Sequence, residues 1–263
     1  MQTRQEVITI AGKAIDVLSG GSGPAVVVLH RDTGRYGWTG LHAALAEKFT
    51  VIAPALPGYD GSERPEWLRN VTDLAGLVGL LMDKLSPGPT AILGLGYGGW
   101  VAGEIAAHSP GRVARLIVQS PMGVQPEQGE IYDQFLIDAE EYIALGFASE
   151  DSYKASVAIY GEQRLELLDT NREMTTRIAW KPAMYDQGLR HLLRGIEVPT
   201  LSIWATQDRI VPRSCAEIYR DAIAGARYAE LHGVGHYADL EAPDALAKLV
   251  TDFLATTGYA SRG

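Results

Sequence analysis

An α/β architecture, with a mostly parallel sheet covered by helices on both faces, is what three features of this 263-residue sequence predict. Short runs rich in β-branched residues alternate with longer segments of helical spacing. Five of those runs are apolar almost throughout, as strands buried on both faces must be. The third of the five leads through a tight glycine-rich turn into a helical segment, the connection expected within a parallel sheet.

The elements follow in chain order. Residues of about 5–10 and 13–18 read as a leading antiparallel hairpin. The buried strands are "AVVVLH" (25–30), "TVIAP" (50–54), "TAILGL" (90–95), "RLIVQS" (115–120) and "PTLSIW" (199–204). Helical patterns span about 39–48, 71–85, 99–109, 213–223 and 243–255. Residues 122–192 break this rhythm, because no buried strand occurs there. "GEIYDQFLIDAEEYIALGF" carries Ile131, Phe135, Ile137 and Tyr142 at helical spacing, and the segment that follows continues in that style. The division expected is a core of residues 1–121 and 193–263 with a helical cap, or lid, of residues 122–192 inserted in it. The insertion begins at the carboxyl end of a strand, where α/β folds bind ligands.

Composition bounds the function. Apolar residues make up 46% and charged residues 21%, ordinary for a globular domain. A formal charge of −9 argues against a nucleic-acid partner, which would require a basic face. No apolar run reaches the roughly 20 residues that cross a membrane, and "MQTRQEVITI" has no secretory pattern. The single cysteine, Cys215, excludes an internal disulfide and fits a reducing compartment, so the expected location is cytoplasmic. Cys215 is expected to be buried and inert. His42, His108 and His191 fall on surface helices or linkers and carry no case.

The chemistry starts at "LGLGYGGW", residues 93–100. Strand, sharp turn and helix are the setting of a nucleophile elbow, G-x-S-x-G. Gly94 and Gly98 occupy its outer positions and allow strand and helix to approach closely. Gly96 stands in the nucleophile position, where it cannot form a covalent intermediate. The same glycines, Gly94, Gly96 and Gly99, also match a dinucleotide-binding turn. That reading lacks its acidic residue, since the next strand ends "LIVQS".

Two later loops complete a pattern. "WATQDRIVP" places Asp208 after a strand, and "LHGVGHYADLEAP" places His236 before the last helix. With "VVVLHRDTG" and "LPGYDGSERP", these motifs resemble the α/β-hydrolase fold superfamily over nearly the whole chain. The chain is also similar to a subgroup with glycine at the elbow and a lid opening on "GEIYDQ". The resemblance implies an acid that orients a histidine, while the apolar and aromatic composition of the lid points to a small, largely apolar substrate beneath it. A carboxylate that accepts one imidazole proton fixes the tautomer and leaves the other nitrogen basic. Taken singly, His236 reads as a buried, satisfied histidine and Asp208 as a loop cap. Taken together in family order, they read as a dyad.

The oxyanion loop departs from the family. Its usual His-Gly is His30-Arg31 here, followed by Asp32. The backbone N–H groups of Asp32 and Tyr97 occupy the positions of an oxyanion hole. Asp32 either points inward, as a further acid or base, or is solvated and paired with Arg31. The Tyr97 ring covers the pocket or packs beneath the lid. Ser120 holds a ligand or caps the turn before Pro121. Tyr132, Trp180, Met184 and Tyr185 face the substrate from the lid, or else anchor lid to core.

Four readings result. A His236–Asp208 base drives direct hydrolysis of an activated ester, lactone, epoxide or C–C bond, with a water in the space vacated at Gly96. Alternatively, the same base takes a proton from the substrate, as in a lyase, isomerase, cyclase or cofactor-free oxygenase. The third reading is a silent small-molecule binder, and the fourth is a serine replaced artificially. No metal-ligand cluster, phosphate-binding loop or reactive-cysteine context is present, so no cofactor and no metal are expected. The sequence permits a homodimer.

Overall fold

The computed structural model describes residues 3–160 and 163–259. Eight strands form one sheet in the order β1-β2-β4-β3-β5-β6-β7-β8. β1 (Arg4–Ile10) and β2 (Lys13–Gly20) form the leading hairpin, and β2 pairs antiparallel with β4 (Thr50–Pro54). From β4 onward all pairings are parallel, through β3 (Ala25–Leu29), β5 (Thr90–Leu95), β6 (Val113–Gln119), β7 (Thr200–Ala205) and β8 (Arg227–Leu231). β5 is buried at every position, which explains its unbroken apolar run.

Helices α1 (Gly40–Leu45), α2 (Val71–Leu85) and α3 (Tyr97–His108) connect the first four parallel strands in chain order, and α8 (Arg213–Ala222) joins β7 to β8. Two hydrophobic clusters result, one on each face. One contains Leu74, Val78, Val101, Ile105 and Ile218, and the other Leu41, Leu45, Leu246, Val250 and Leu254 from α1 and α10 (Pro243–Thr256). The N-terminus of α2 is capped by Asn70, whose side chain accepts from the Asp73 amide at 2.7 Å. α9 (Ala238–Glu241) precedes α10.

Between β6 and β7 lie α4 (Ala139–Leu145), α5 (Glu150–Tyr160), α6 (Gln163–Ala179) and the short α7 (Leu189–Leu192). The helical spacing read across Ile131, Phe135 and Ile137 does not form a helix, because residues 131–138 are loop and turn. Asp138 caps α4 instead, with its side chain accepting from the Glu141 amide. The insertion is bonded over the strand ends at two places. Asn171 of α6 donates to the Thr33 carbonyl at 3.0 Å, and Thr175 of α6 donates to the Asp32 carbonyl at 3.1 Å. Beyond the end of α4, the Gly146 carbonyl accepts from the Tyr237 amide, and Phe147 stacks on the Tyr237 ring at 5.0 Å.

His42 corrects an expectation. It is buried, not on a surface face. Its Nδ1 accepts from the Thr39 amide at 3.0 Å at the start of α1, and its ring stacks on Trp38. Cys215 is buried in the larger core cluster, and burial pushes its thiol far above the usual range.

Among the described residues no helix is long and apolar enough to cross a membrane. Among the same residues no group of three or more His, Cys, Asp or Glu side chains is placed to hold a metal ion.

Candidate active site

The elbow forms where β5 turns into α3. Gly96 has φ +53° and ψ −112°, a backbone that side chains adopt only at a cost. Gly98 allows the close approach, because a Cβ there would lie 2.3 Å from the Leu29 carbonyl oxygen. The chain reaches this turn through β5, buried between β3 and β6.

His236 and Asp208 come together as the spacing predicts. The loop after β7 carries Asp208 and the loop after β8 carries His236, two neighbouring parallel strands. Nδ1 of His236 and Oδ2 of Asp208 are 2.8 Å apart, with both side chains fully buried. Oδ1 of Asp208 accepts from the amides of Ile210 and Val211, each at 2.8 Å. Burial pushes the Asp208 carboxyl up, but the His236 charge, the imidazole hydrogen bond and the Val211 amide outweigh it. Asp208 is held below the usual carboxylate range. With the carboxylate on Nδ1, Nε2 becomes the basic nitrogen; it is buried and takes no hydrogen bond.

The imidazole of His236 stands directly against Gly96. A Cβ at position 96 would lie 2.7 Å from Nε2 of His236, 3.1 Å from its Cε1 and 3.3 Å from Cγ of Arg31. The imidazole edge occupies the volume that a nucleophile's side chain would fill.

The loop His30-Arg31-Asp32 sorts into three different tasks. His30 is structural: its Nε2 accepts from the Leu56 amide at 2.9 Å and its Nδ1 donates to the Arg31 carbonyl at 2.6 Å. The Arg31 guanidinium pairs with Asp239 rather than with Asp32. That buried ion pair measures 2.5 Å, and the guanidinium donates to the His236 carbonyl and to Gln119 Oε1, both at 2.8 Å. It also lies over the Tyr237 ring, 5.0 Å from the centroid. Arg31 therefore pins the backbone of the histidine loop from behind.

Asp32 points inward and is fully buried, which overturns the solvated reading. Oδ2 accepts from the Tyr142 hydroxyl at 2.9 Å, and Oδ1 takes no hydrogen bond. Burial raises the Asp32 pKa above its ordinary value, against the opposing pull of His236 and the Tyr142 hydrogen bond.

Tyr97 is buried, edge-on to Trp100 and tilted against Tyr59, with ring centroids 6.0 Å away in each case. It packs under the insertion and does not cover His236. Ser120, at φ +45°, sets its hydroxyl against Asp208. Tyr132 is half-buried behind Tyr142, at 6.4 Å between centroids.

The remaining lid residues lie in three different settings. Trp180 is 51% exposed and edge-on to Phe135. Met184 belongs to the core, and its amide donates to the Ala179 carbonyl. Tyr185 lies in a cleft with Asn70, Trp100 and Glu104, apart from His236. These three anchor the insertion.

Sequence reasoning missed Tyr142, Tyr237, Gln119 and Asp239 as parts of the site. Tyr142 stood in the lid spacing and Asp239 lies three residues past His236, yet neither carries a motif.

Comparison with known proteins identifies the family and the fold. The description "Alpha/beta hydrolase family" matches residues 23–249. Mouse monoacylglycerol lipase ABHD6 is 27% identical, over 90% of this chain and 77% of that protein. A bacterial membrane phospholipase A superposes with a TM-score of 0.84 at 21% identity, over 99% of this chain and 87% of its own. The enol-lactonase of Burkholderia xenovorans does so with a TM-score of 0.79 at 25% identity, over 95% of this chain and 100% of its own. An eight-stranded, mostly parallel sheet with an elbow between β5 and α3 and a family match over residues 23–249 lead to one conclusion: the chain belongs to the alpha/beta hydrolase family.

Proposed function

We propose that this chain is a small-molecule enzyme of the hydrolase scaffold that uses Asp208 and His236 as a general base and forms no covalent intermediate. It stands for a subgroup in which glycine replaces the elbow serine. The observation that carries this reading is the His236 Nε2 atom. It is oriented by Asp208, buried and unpartnered, and it sits against a glycine that has no nucleophile to offer. A binder would need neither the buried carboxylate nor the free imidazole nitrogen. General acid–base catalysis contributes about 10²–10⁴-fold, enough for a substrate that is already activated.

Two reactions fit. Hydrolysis of an activated ester, lactone, epoxide or C–C bond has the support of the relatives, a monoacylglycerol lipase and an enol-lactonase. Proton abstraction from the substrate itself has the support of the His236 imidazole, which stands directly against Gly96 with its Nε2 unpartnered. The surrounding rings of Tyr59, Tyr97, Tyr142 and Tyr237, all buried, suit a compact and largely apolar substrate.

The test is a turnover screen in ¹⁸O-water over activated esters, lactones, epoxides, β-diketones and heteroaromatic ketones, with wild type beside His236→Ala and Asp208→Asn. Products that carry the label and vanish in His236→Ala identify hydrolysis, whereas unlabelled products identify proton transfer. Asp208→Asn is expected to lose roughly 10³–10⁴-fold through the wrong imidazole tautomer. Full activity in both variants would refute the dyad.

A further inference from the structure

The His236–Asp208 base leaves one buried group unexplained. Asp32 is fully buried, and Oδ1 has no hydrogen-bond partner. A structural aspartate at this position would be expected to satisfy both oxygens, because an unmet polar atom in the interior is costly. Here only Oδ2 is satisfied, by Tyr142 of α4 at 2.9 Å. The charged groups around Asp32 are His236 and Arg31, and the phenols that face it are Tyr59, Tyr97, Tyr142 and Tyr237. Arg31 is already engaged by Asp239, Gln119 and the His236 carbonyl. The one titratable base in this set is His236, whose Nε2 is likewise unpartnered. Two free buried atoms, a carboxyl oxygen and an imidazole nitrogen, thus belong to one electrostatically linked cluster beneath the insertion.

The position of Asp32 is also informative. The family uses this loop to present backbone N–H groups to a developing oxyanion. In this chain the same loop carries the buried Asp32 carboxyl group. An ionised carboxylate there would repel an oxyanion, whereas a protonated one donates to it.

We propose that Asp32, positioned by Tyr142, is the general acid of this site, giving a proton to the carbonyl oxygen of a small neutral ester, lactone or ketone while His236 accepts one. The inference rests on the general-base reading of His236 and adds the group that answers it. The step balances. His236 Nε2 takes a proton from the substrate's α-carbon or from an attacking water. The released electron pair forms the new C=C or C–O bond, and the carbonyl π electrons pass to oxygen, which takes the Asp32 proton. Imidazolium and carboxylate result. When the oxygen collapses back to a carbonyl, its proton returns to Asp32, and the imidazolium returns its own to carbon or to the leaving oxygen. Burial favours the neutral carboxyl before substrate arrives.

The experiment has two readouts on full-length protein. The first is an infrared difference spectrum at neutral pH between wild type and Asp32→Asn. A protonated-carboxyl C=O band is expected in wild type, absent from Asp32→Asn and shifted in Tyr142→Phe by loss of the hydroxyl bond. The second is kinetic, with dihydrocoumarin hydrolysis and solvent-deuterium exchange into 1-indanone as probes. Asp32→Asn is expected to lower kcat on the active probe by at least about 100-fold with little change in KM. Tyr142→Phe should fall between the two. Asn keeps the size of the side chain and can still accept from Tyr142, so the fold is retained. Absence of the band, an Asp32→Asn enzyme as fast as wild type, or a wild type inert to both probes overturns the proposal. His236→Ala separates the two claims: its full activity would sink the base reading, whereas an inactive His236→Ala beside a fully active Asp32→Asn would sink only the acid.

Discussion

Replacing Gly96 by alanine adds one methyl group to the tip of the elbow, and the structure sets the consequence. The new Cβ would lie 2.7 Å from His236 Nε2 and 3.3 Å from Arg31 Cγ, inside contact distance for carbon. The imidazole cannot simply retreat. Asp208 holds Nδ1 at 2.8 Å, Arg31 holds the backbone carbonyl at 2.8 Å, and the ring is buried against Tyr237. The backbone also resists, because φ is +53° at this position. A side chain in such a region costs of order 1–3 kcal/mol, and an overpacked buried methyl costs about the same again. Gly96→Ala should therefore lose roughly 2–6 kcal/mol of unfolding free energy and most of the turnover. Gly96→Ser should behave alike and gain no hydrolysis of 4-nitrophenyl acetate, because the serine would displace the base meant to activate it. Urea unfolding followed by tryptophan fluorescence reads the first quantity, and steady-state kinetics the second. An unfolding midpoint and turnover equal to wild type would refute the claim that the imidazole fills the elbow.

Three further outcomes are expected. Arg31→Met strands the buried Asp239 carboxylate and should cost about 3–5 kcal/mol, whereas Arg31→Met with Asp239→Leu should recover most of it. Turnover should stay low in the double variant, because the His236 carbonyl has lost its holder; a double-mutant cycle on unfolding and kinetics checks both. Burial lowers the His42 pKa from 6.5 to about 4, so the unfolded chain takes up the proton first. Stability is full above pH 6.5 and falls by about 3 kcal/mol as the pH drops to about 4, a slope that His42→Gln should remove while keeping the cap on Thr39. Burial raises Asp32, so its unfolded form ionises first as pH rises past 3.8, and stability is lost from there upward through the folded pKa. Thermal melts across pH should show Asp32→Asn more stable than wild type at pH 8, with the gap closing near pH 3, although the variant is the less active.

How much was legible depended on how local the information was. The helix from Val71 to Leu85 and the strand from Thr90 to Leu95 match the reading from periodicity, since apolar spacing reports burial within one element. The stretch from Ile131 to Ile137 misled for the same reason: its apolar residues have helical spacing, but α4 begins only after the Asp138 cap. His42 misled because a lone polar residue says nothing about the tertiary neighbours, here Trp38 and Thr39, that bury it.

By itself, the sequence determined the alternation that builds a parallel sheet, the glycine at the elbow, and the order of elbow, acid and histidine. Those are short patterns, and the topology of a parallel sheet brings the ends of neighbouring strands together wherever such patterns fall. Tertiary structure alone decided which way Asp32 and Arg31 face. Asp32 meets Tyr142 across 110 residues, and Arg31 meets the His236 carbonyl across 205. Adjacent residues in one loop went to opposite tasks because the partners that stabilise a buried carboxyl and a buried guanidinium come from distant elements. Only the folded packing of α4 and the histidine loop around β3 supplies them.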